Sequence, residues 1–359
     1  MPDLRPARRV VIAATAFMVA CGGGATGNKA GGSERVTLRM ANTAIKVDGV
    51  PAVKYFVDRL QDESRSNVSV LVVNEYDHYL PEAEQQIVRD VAAGKIDLAW
   101  VGSRVFDTLG VKSFQALTLP MLVDSYALEK ATIESSIPAQ MMRGLDALGV
   151  AGLGVLADGL RKPIGVKKPI VGAADWRGIR FGTLRSAAQS AAIRALGAIP
   201  TEVFGSRRTT ALTSGTLGGF EMSLLTYDDL AWIPPAPYVT VNVNLWPQMD
   251  VLIANPSRLR ELTAEQRDWL HRAADDSVKH STTLGAKDPG LLREACSKGT
   301  HAVNASAADL EALRRGTAGA YADLVNDPVT KAFAARIEAL KHATHPESSP
   351  TIPSGCASL

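Results

Sequence analysis

The amino-acid sequence predicts an α/β fold of about two domains, in which parallel strands carry helices on both faces. From residue 36 onward, short apolar runs alternate with amphipathic helical stretches, the pattern of repeated strand–helix–strand units. The chain has 359 residues, of which 46% are hydrophobic and 21% are charged. This composition is that of a globular protein with a large buried core.

The first part of the folded region supplies three predicted strands and two predicted helices. The strands are RVTLRMAN (35–42), NVSVLVVNEY (67–76) and KIDLAWVGS (95–103), and the helices are GVPAVKYFVDRLQDES (49–64) and PEAEQQIVRDVAAG (81–94). Val53, Phe56 and Leu60 fall on one face of the first helix. Gly94 ends the second helix.

Strand and helix patterns continue through the middle of the chain. Predicted strands are GVAGLGVLADG (149–159), KPIGVKKPI (162–170), WRGIRFGT (176–183) and MDVLIAN (249–255). Helix starts are marked by capping pairs three residues apart: Ser186 with Gln189, Thr263 with Gln266, and Ser306 with Asp309. Gly197 ends the helix that begins at Ser186.

The N-terminus has the pattern of an export signal. RPARRVVIAATAFMVAC (5–21) places arginines before about eleven apolar residues, a run too short to span a membrane. Its end, Met-Val-Ala-Cys, resembles a bacterial lipobox, in which the signal is cleaved before Cys21 and that cysteine carries the lipid. A plain cleaved signal, with Cys21 incidental, is the alternative. We therefore predict a lipoprotein signal peptide at 1–20 and a flexible Gly-rich tether at 21–35.

Two further cysteines, Cys296 and Cys356, lie in the C-terminal part of the chain. In an exported protein such a pair is a candidate disulfide, here one that would tie the C-terminal tail (346–359) to the folded body. Sequence spacing leaves the pairing open, because a disulfide requires Cα atoms within about 7 Å.

Charge and motifs argue against several classes of function. The formal net charge is +2, and the first twenty residues account for it, so the rest lacks the basic face that nucleic acid requires. The sequence contains no G-x-S-x-G elbow, no H-E-x-x-H zinc helix and no G-x-x-x-x-G-K-[ST] phosphate loop. His78 lies near Glu75 and Asp77, but such clusters in polar loops are usually not metal sites. We predict no catalytic centre, no cofactor and no metal.

One stretch, ADWRGIRFGTLRS (174–186), combines arginines with a strand-to-helix junction. Arg180 and Gly182 fall on one face of the predicted strand, and Arg185 lies where it leads into the helix beginning at Ser186. Ligands of open α/β sheets bind beyond the carboxyl ends of strands, and helix N-termini attract anions. The junction is therefore a predicted site for an anionic ligand.

Six motifs in order carry a resemblance to a known family. They are VAAGKIDLAWVGS (91–103), FQALTLPMLVDS (114–125), GLRKPIGVKKPI (159–170), DWRGIRFGT (175–183), ALGAIPTEVF (195–204) and TSGTLGGFEM (213–222). Through them the chain, from about Val36 to about His342, resembles the substrate-binding protein of a tripartite ATP-independent periplasmic (TRAP) transporter of the DctP type.

The resemblance implies a periplasmic binding protein fold (type II-like), with two α/β lobes joined by hinge strands and a ligand cleft between them. We place lobe I at 36–157 plus about 249–290, and lobe II at 158–248 plus about 291–345. A protein of this kind is not an enzyme. It binds a small organic acid outside the cytoplasm and passes it to the small and large TRAP membrane subunits. With a lipid on Cys21, it would be held at the outer face of the cytoplasmic membrane.

The same resemblance indicates ligand-binding residues. Arg161 matches one arginine that meets the ligand carboxylate, whereas the position of a second arginine falls on Gly182. Because a carboxylate cannot stay unpaired in such a site, either Arg161, Arg180 or Arg185 supplies the charge, or the ligand is different or bulkier. Further positions at or near the expected cleft are Phe204, Glu221, Tyr227, Asn244, Asn42 and Ser103.

Two other functions remain open from the sequence. One is a sensory module that presents its ligand to a receptor, and the other is an anchored hydrolase with an unorthodox site. Neighbouring genes for small and large TRAP membrane subunits would favour transport over sensing. Turnover of a substrate would indicate the hydrolase.

Overall fold

The computed structural model describes residues 35–227, 232–345 and 347–356. The strands are β1 (Val36–Ala41), β2 (Val68–Val73), β3 (Leu98–Gly102), β4 (Ala151–Gly165), β5 (Arg180–Thr183), β6 (Ile199–Glu202), β7 (Gly219–Met222), β8 (Tyr238–Thr240), β9 (Trp246–Ala254) and β10 (His301–Val303). The helices are α1 (Pro51–Glu63), α2 (Ala83–Ala92), α3 (Tyr126–Glu134), α4 (Ile137–Met142), α5 (Ala173–Trp176), α6 (Ala187–Ala195), α7 (Gly205–Thr213), α8 (Leu224–Tyr227), α9 (Pro256–Glu261), α10 (Ala264–Ser281), α11 (Asp288–Ser297), α12 (Ala307–Leu324) and α13 (Pro328–Ala343). The predicted α/β class is confirmed.

The predicted signal peptide, Cys21 and nearly all of the predicted tether lie outside the described residues. Among the helices of the described part, none is long and apolar enough to cross a membrane.

The first sheet has the strand order β2-β1-β3-β9-β4. β1 pairs in parallel with both β2 and β3, as the strand–helix–strand pattern predicts. β9 lies antiparallel between β3 and β4, so the sheet is mixed and not purely parallel. The reason is topological, because β9 enters this sheet from the second sheet and not through a crossover helix.

Helix α1 shows how the sequence covers this sheet. Pro51 starts the helix, where its missing N–H costs nothing. Val53, Phe56 and Leu60 are buried at helical spacing, as predicted, in a core shared with α10. A separate core, which includes Ile87 of α2, fills the other face of the sheet.

The second sheet has the order β4-β7-β5-β6, with β8 and β10 attached beside β4. β5 is parallel to β6 and β7, whereas β4 is antiparallel to β7 and β8. Phe220 packs in a core with Leu212 of α7 on one face, and Phe181 packs with Ile193 of α6 on the other. The fold therefore has two lobes, each built on one sheet with helices on both faces.

Strand β4 belongs to both sheets, and together with β9 it connects the two lobes. The prediction of separate strands at 149–159 and 162–170 is wrong. Gly159 reads as a turn in the sequence, and its backbone is indeed left-handed, with φ of 89°. Pairing with β9 keeps the strand continuous through a register shift between Ala157 and Leu160.

Two of the three predicted capping boxes form, and the third forms in part. The capping boxes that begin at Thr263 and at Ser306 are confirmed. At α6, the Oγ of Ser186 accepts a hydrogen bond from the backbone N–H of Gln189 at 3.1 Å, but the reciprocal bond is not formed.

The lobe boundaries stay a prediction. The segment of about 291–345 was assigned to lobe II, and α12 within it does pack against α6 of the second sheet. α13 instead places Ala334 and Ile337 in a core of the first sheet.

Candidate ligand-binding site

Arg161 and Glu221 form a buried ion pair between the neighbouring strands β4 and β7. Arg161 donates through Nε to Glu221 Oε2, and through Nη2 to the backbone carbonyl of Glu221 at 2.8 Å. Its Nη1 donates to Gln248 Oε1 on β9, also at 2.8 Å. Arg161 is 5% exposed and Glu221 is 1% exposed. Two residues predicted separately are thus brought together where the two sheets meet.

Thr183 contacts the second oxygen of this carboxylate. It is the last residue of β5, and its Oγ1 donates to Glu221 Oε1 at 3.2 Å. β5 and β7 are parallel, so their carboxyl ends lie at the same edge of the sheet. This is the edge at which ligands of open α/β sheets bind.

The first sheet contributes a second buried ion pair, between Arg104 and Glu84. Arg104 lies in a 3-10 helix that directly follows β3, and Glu84 lies in the first turn of α2. Glu84 Oε1 also accepts the backbone N–H of Gly102 at 2.8 Å, which holds the carboxylate at the carboxyl end of β3. The Nε of Arg104 is buried and has no hydrogen-bond partner among the described residues.

Asp158 of β4 and Asp250 of β9 add two buried carboxyl groups. Gln248 Nε2 donates to Asp250 Oδ1 at 2.8 Å. Burial raises the pKa of Asp250 to about 7. Burial, and then the charge of Asp250, raise the pKa of Asp158 well above its ordinary value. Near neutral pH these groups are therefore at least partly protonated and offer O–H donors as well as acceptors.

A third buried guanidinium, that of Arg208, comes from α7 on the second sheet. Burial, and then the charge of Arg104, lower its pKa to about 10. Burial, and then the charges of Arg208 and Arg104, lower the pKa of Arg161. The three side chains thus lie within electrostatic reach of one another. We call Arg104, Arg161 and Arg208 the arginine cluster.

The arginine cluster has the chemistry of an anion site. The planar guanidinium group matches a carboxylate, to which it can donate two parallel hydrogen bonds. Arg161 has five N–H donors, and partners within the described part of the chain engage three of them. Two donors are left for an incoming oxygen.

Asn42 and Ser103 lie at the carboxyl ends of strands in the first sheet, as expected. Asn42 follows β1 and is fully buried; its Nδ2 donates to Asn74 Oδ1 at 2.7 Å, and its Oδ1 accepts from Trp100 Nε1 at 3.0 Å. Its polar atoms thus have partners within the protein. Ser103 is 5% exposed and directly precedes Arg104.

Arg180 and Gly182 are not brought into the arginine cluster. Arg180 is exposed at the start of β5, at the opposite end of the strand from Thr183. Gly182 is buried, and a Cβ there would lie 2.9 Å from Leu217 Cδ1 and 3.2 Å from Val203 Cγ2. Gly182 therefore faces packed apolar side chains, which gives no support to the bulkier-ligand alternative.

Arg185 lies at the surface between elements of the two sheets. Its Nε is 3.0 Å from Glu202 Oε2 at the end of β6, and its Nη1 is 3.7 Å from Glu82 Oε2, just before α2. Its side chain is 40% exposed, and both of its carboxylate partners come from the chain itself.

The N-terminus of α6 is occupied by the carboxylate of Asp107, from the 3-10 helix after β3. Ser186 Oγ donates to Asp107 Oδ2 at 2.6 Å, and the backbone N–H groups of Ala188 and Ala187 donate at 3.0 and 3.3 Å. Burial raises the pKa of Asp107, and these hydrogen bonds oppose the rise. The anion that the sequence predicts at this junction is therefore supplied by the chain and not by a ligand.

Tyr227 and Phe204 lie in the second lobe. Tyr227 is fully buried and donates from its hydroxyl to the carbonyl of Ala236 at 2.7 Å, which is a packing role. Phe204 is partly buried and directly precedes α7.

Asn244 borders a cavity on the opposite face of β4. Lys162 donates from Nζ to Asn244 Oδ1 at 2.7 Å and lies 3.5 Å from Asp288 Oδ2. Consecutive strand residues point to opposite faces, so Lys162 and Arg161 lie on different sides of β4. The cavity has a volume of about 1170 Å³ and is bordered by α3, the start of α11 and residues 347–353. None of the arginine cluster lines it.

The C-terminal tail is tied to the body at two places. Cys296 of α11 and Cys356 form a disulfide, with Cα atoms 4.9 Å apart. Glu347 accepts the backbone N–H of Ala127, in the first turn of α3, at 2.7 Å. Within the described ranges, no three His, Cys, Asp or Glu side chains are grouped to hold a metal ion.

Sequence reasoning did not find Arg104, Arg208 or the two aspartates. The signal for Arg104 was its place beside Ser103, directly after a buried strand. Asp158 and Asp250 were single carboxyl groups inside apolar strands, a pattern that is costly unless it has a use. Arg208 gave no signal, because its helix is polar on most sides.

Comparison with known proteins identifies the family of this chain. The DctP family model, described as bacterial extracellular solute-binding protein, family 7, matches residues 46–327. The 2,3-diketo-L-gulonate-binding periplasmic protein YiaO of Escherichia coli K12 is 22% identical over 237 residues, which cover 66% of this chain and 71% of YiaO.

Solved structures of similar fold include three with bound acids. A TRAP periplasmic solute-binding protein from Xanthobacter autotrophicus Py2, with bound β-D-galacturonate, is 21% identical with a TM-score of 0.74, covering 84% of this chain and 99% of that one. One from Sulfurospirillum deleyianum, with succinate, is 16% identical with a TM-score of 0.75 and coverages of 85% and 99%. The sugar acid binding protein DctPAm from Advenella mimigardefordensis, with galactonate, is 18% identical with a TM-score of 0.76 and the same coverages. The family match spans most of the chain, which therefore belongs to family 7 of the bacterial extracellular solute-binding proteins, the DctP family, and is a binding protein and not an enzyme.

Proposed function

We propose that this protein captures a small organic acid outside the cytoplasm and delivers it to the small and large membrane subunits of a TRAP transporter. The observation that carries the proposal is the arginine cluster, three buried guanidinium groups whose charges act on one another. Arg104 comes from the first sheet, Arg208 from the second, and Arg161 from the strand they share. A site of this composition favours a carboxylate over a neutral or cationic ligand.

The similar structures support the acid class. Galacturonate, succinate and galactonate, which are bound in those proteins, are all carboxylic acids. In this chain, Arg161 has two N–H donors for a ligand oxygen, and Asp158 and Asp250 offer hydrogen bonds that suit ligand hydroxyl groups.

Binding would act by closing the two lobes around the acid. A ligand shifts such an equilibrium only as far as it prefers the closed form. Contacts between elements of the two sheets already exist without it, namely Asp107 with Ser186 and Glu82 with Arg185. The acid would add its own contacts with both lobes to these contacts between the lobes. The closed form would then be the one that the membrane subunits receive.

We further propose that lipid on Cys21 holds the protein at the outer face of the cytoplasmic membrane, with the tether 21–35 between anchor and body. Mass spectrometry of the protein from its native cells tests this proposal. An N-terminal Cys21 carrying acyl chains supports it, and an unmodified N-terminus released from the membrane contradicts it.

The test of function compares acids with a neutral counterpart of the same shape. D-galacturonate, D-galactonate and succinate are each tested against D-galactose in thermal unfolding. A ligand at about one hundred times its Kd stabilises by about 2.7 kcal/mol and raises the melting temperature by a few degrees. We expect at least one acid to do so and D-galactose to have no effect. A shift with D-galactose alone would contradict the acid proposal.

A further inference from the structure

Arg208 is a buried cation that forms no ion pair with a carboxylate of the described residues; burial lowers its pKa and the charge of Glu84 raises it, but Glu84 is paired with Arg104. Arg208 is 5% exposed, and among the residues that the structure describes it forms one hydrogen bond, from Nη2 to the carbonyl of Val203 at 3.5 Å. Its Nε is buried and has no partner in the same part of the chain. Its Cζ lies 5.6 Å from the ring centre of Phe220 and 5.4 Å from that of Trp232, so aromatic faces are its main surroundings.

The other two members of the arginine cluster differ in this respect. Arg104 is paired with Glu84, and Arg161 is paired with Glu221. A guanidinium taken out of water is strongly destabilised unless an anion compensates it. Arg208 is therefore the one member of the cluster that has no ion pair within the described structure.

The position of Arg208 relates directly to Gly182. Gly182 pairs with Phe220 in the register of β5 and β7, and a Cβ on Gly182 would lie 3.1 Å from Phe220 Cβ. The guanidinium of Arg208 lies over the ring of the same phenylalanine. Helix α7 thus brings the positive charge of Arg208 close to Gly182, a position at which β5 itself has no charged side chain.

We propose that Arg208 binds the carboxylate of the ligand and that the ligand carries a single carboxylate; this rests on the proposed function. The ion pairs of the cluster support a ligand with one carboxylate. Glu84 and Glu221 are ion-paired with Arg104 and Arg161, so Arg208 is the one arginine of the cluster without an ion-pair partner among the described residues. Asp158 and Asp250 add no cation that could meet a second carboxylate. With one arginine left to pair with a carboxylate, a hydroxylated monoacid such as a sugar acid fits the cluster better than a dicarboxylate.

The experiment measures Kd by calorimetry for D-galacturonate, D-galactonate and succinate in the wild-type protein, Arg208→Met and Arg208→Gln. Arg207→Met is the matched control, because Arg207 is the exposed neighbour on the same helix. We expect a sugar acid to bind the wild type more tightly than succinate, and both Arg208 variants to lose roughly 30-fold or more in affinity. Arg207→Met should stay within threefold of the wild type, a difference of about 0.7 kcal/mol.

Melting temperatures without ligand separate a binding role from a packing role. If Arg208 serves the ligand, Arg208→Met removes an uncompensated charge and melts no lower than the wild type. If Arg208 only packs, Arg208→Met melts lower and Arg208→Gln keeps its affinity, which would overturn the proposal. Tighter binding of succinate than of either sugar acid would also overturn it, while the proposed function would stand. If no acid binds the wild type, both fail.

Discussion

The carboxylate of Asp107 accepts a hydrogen bond from Ser186 Oγ at 2.6 Å, and the two residues belong to different sheets. Asp107 follows β3 of the first sheet, whereas Ser186 caps α6 of the second. An acidic side chain at a helix N-terminus is normally supplied from the same helix or its approach. Here the cap joins the two lobes, so it forms only when they are together.

Asp107→Ala should weaken acid binding, because it removes a contact that favours the closed form. A helix cap is worth about 0.5–2 kcal/mol, so we expect roughly a 2- to 30-fold rise in Kd by calorimetry. The matched control is Asp309→Ala, which removes a cap from α12 within one lobe. Asp309→Ala should lower the melting temperature and leave Kd unchanged. Equal Kd values for both variants and the wild type would rule out the cross-lobe role.

Asp250 should make the protein less stable as the pH rises toward neutral. Burial raises its pKa from 3.8 to about 7, so the native state keeps a proton that the unfolded state loses. Its stabilising contribution is complete below about pH 4 and is lost progressively up to about pH 7. Between about pH 5 and pH 8 this group should lower the free energy of unfolding by up to about 3 kcal/mol.

Urea unfolding of the wild type and of Asp250→Asn, each at about pH 5 and pH 8, tests whether Asp250 causes this loss of stability. The variant should lose less stability on going to the higher pH. Asp275→Asn, at an exposed position of α10, is the control and should follow the wild type. If Asp250→Asn loses as much free energy of unfolding as the wild type between the two pH values, other groups cause the pH dependence.

Glu221→Gln should destabilise the protein strongly, because it leaves Arg161 buried without its anion. Breaking one side of a buried pair costs about 3–5 kcal/mol, whereas replacing both sides with apolar groups is often neutral. We therefore expect Arg161→Met combined with Glu221→Leu to regain much of the stability in urea while failing to bind acid. Glu134→Gln, in the exposed pair with Lys130, should change stability little. A double variant no more stable than Glu221→Gln would contradict this account.

Gly182→Ala and Gly319→Ala should change stability in opposite directions. A methyl group on Gly182 meets packed side chains at 2.9–3.2 Å, and overpacking of this kind costs about 1–3 kcal/mol. Gly319 lies inside α12 with nothing within 4 Å of the added Cβ, so alanine should stabilise the helix by about 0.5–1 kcal/mol. Thermal unfolding measures both. A neutral Gly182→Ala would mean that β5 can move away from its neighbours.

The sequence was sufficient where structure depends on near neighbours. The face of α1 with Val53, Phe56 and Leu60, and the caps at Thr263 and Ser306, follow from spacing alone. Their stabilising contacts lie within one helix and the face it buries, so a short window contains the information.

The sequence was insufficient where distant segments decide the outcome. Gly159 looks like the end of a strand until β9 is placed beside it. Arg161 and Glu221 were found as separate motif positions, but nothing in the spacing shows that they pair. Arg208 is buried only because Phe220 and Trp232 come from other parts of the chain.

Arg161 and Lys162 are adjacent in β4 but face opposite sides of it, one toward the arginine cluster and the other toward the cavity beside the C-terminal tail. If β4 bends when an acid binds, groups on both of its faces move together. Ser349, exposed in that tail and 3.3 Å from Asn242 Nδ2, is well placed to register the displacement. We therefore expect the emission of a fluorescent dye attached at position 349 to change when the acid is added, and constant emission during acid binding would show that this displacement does not reach the tail.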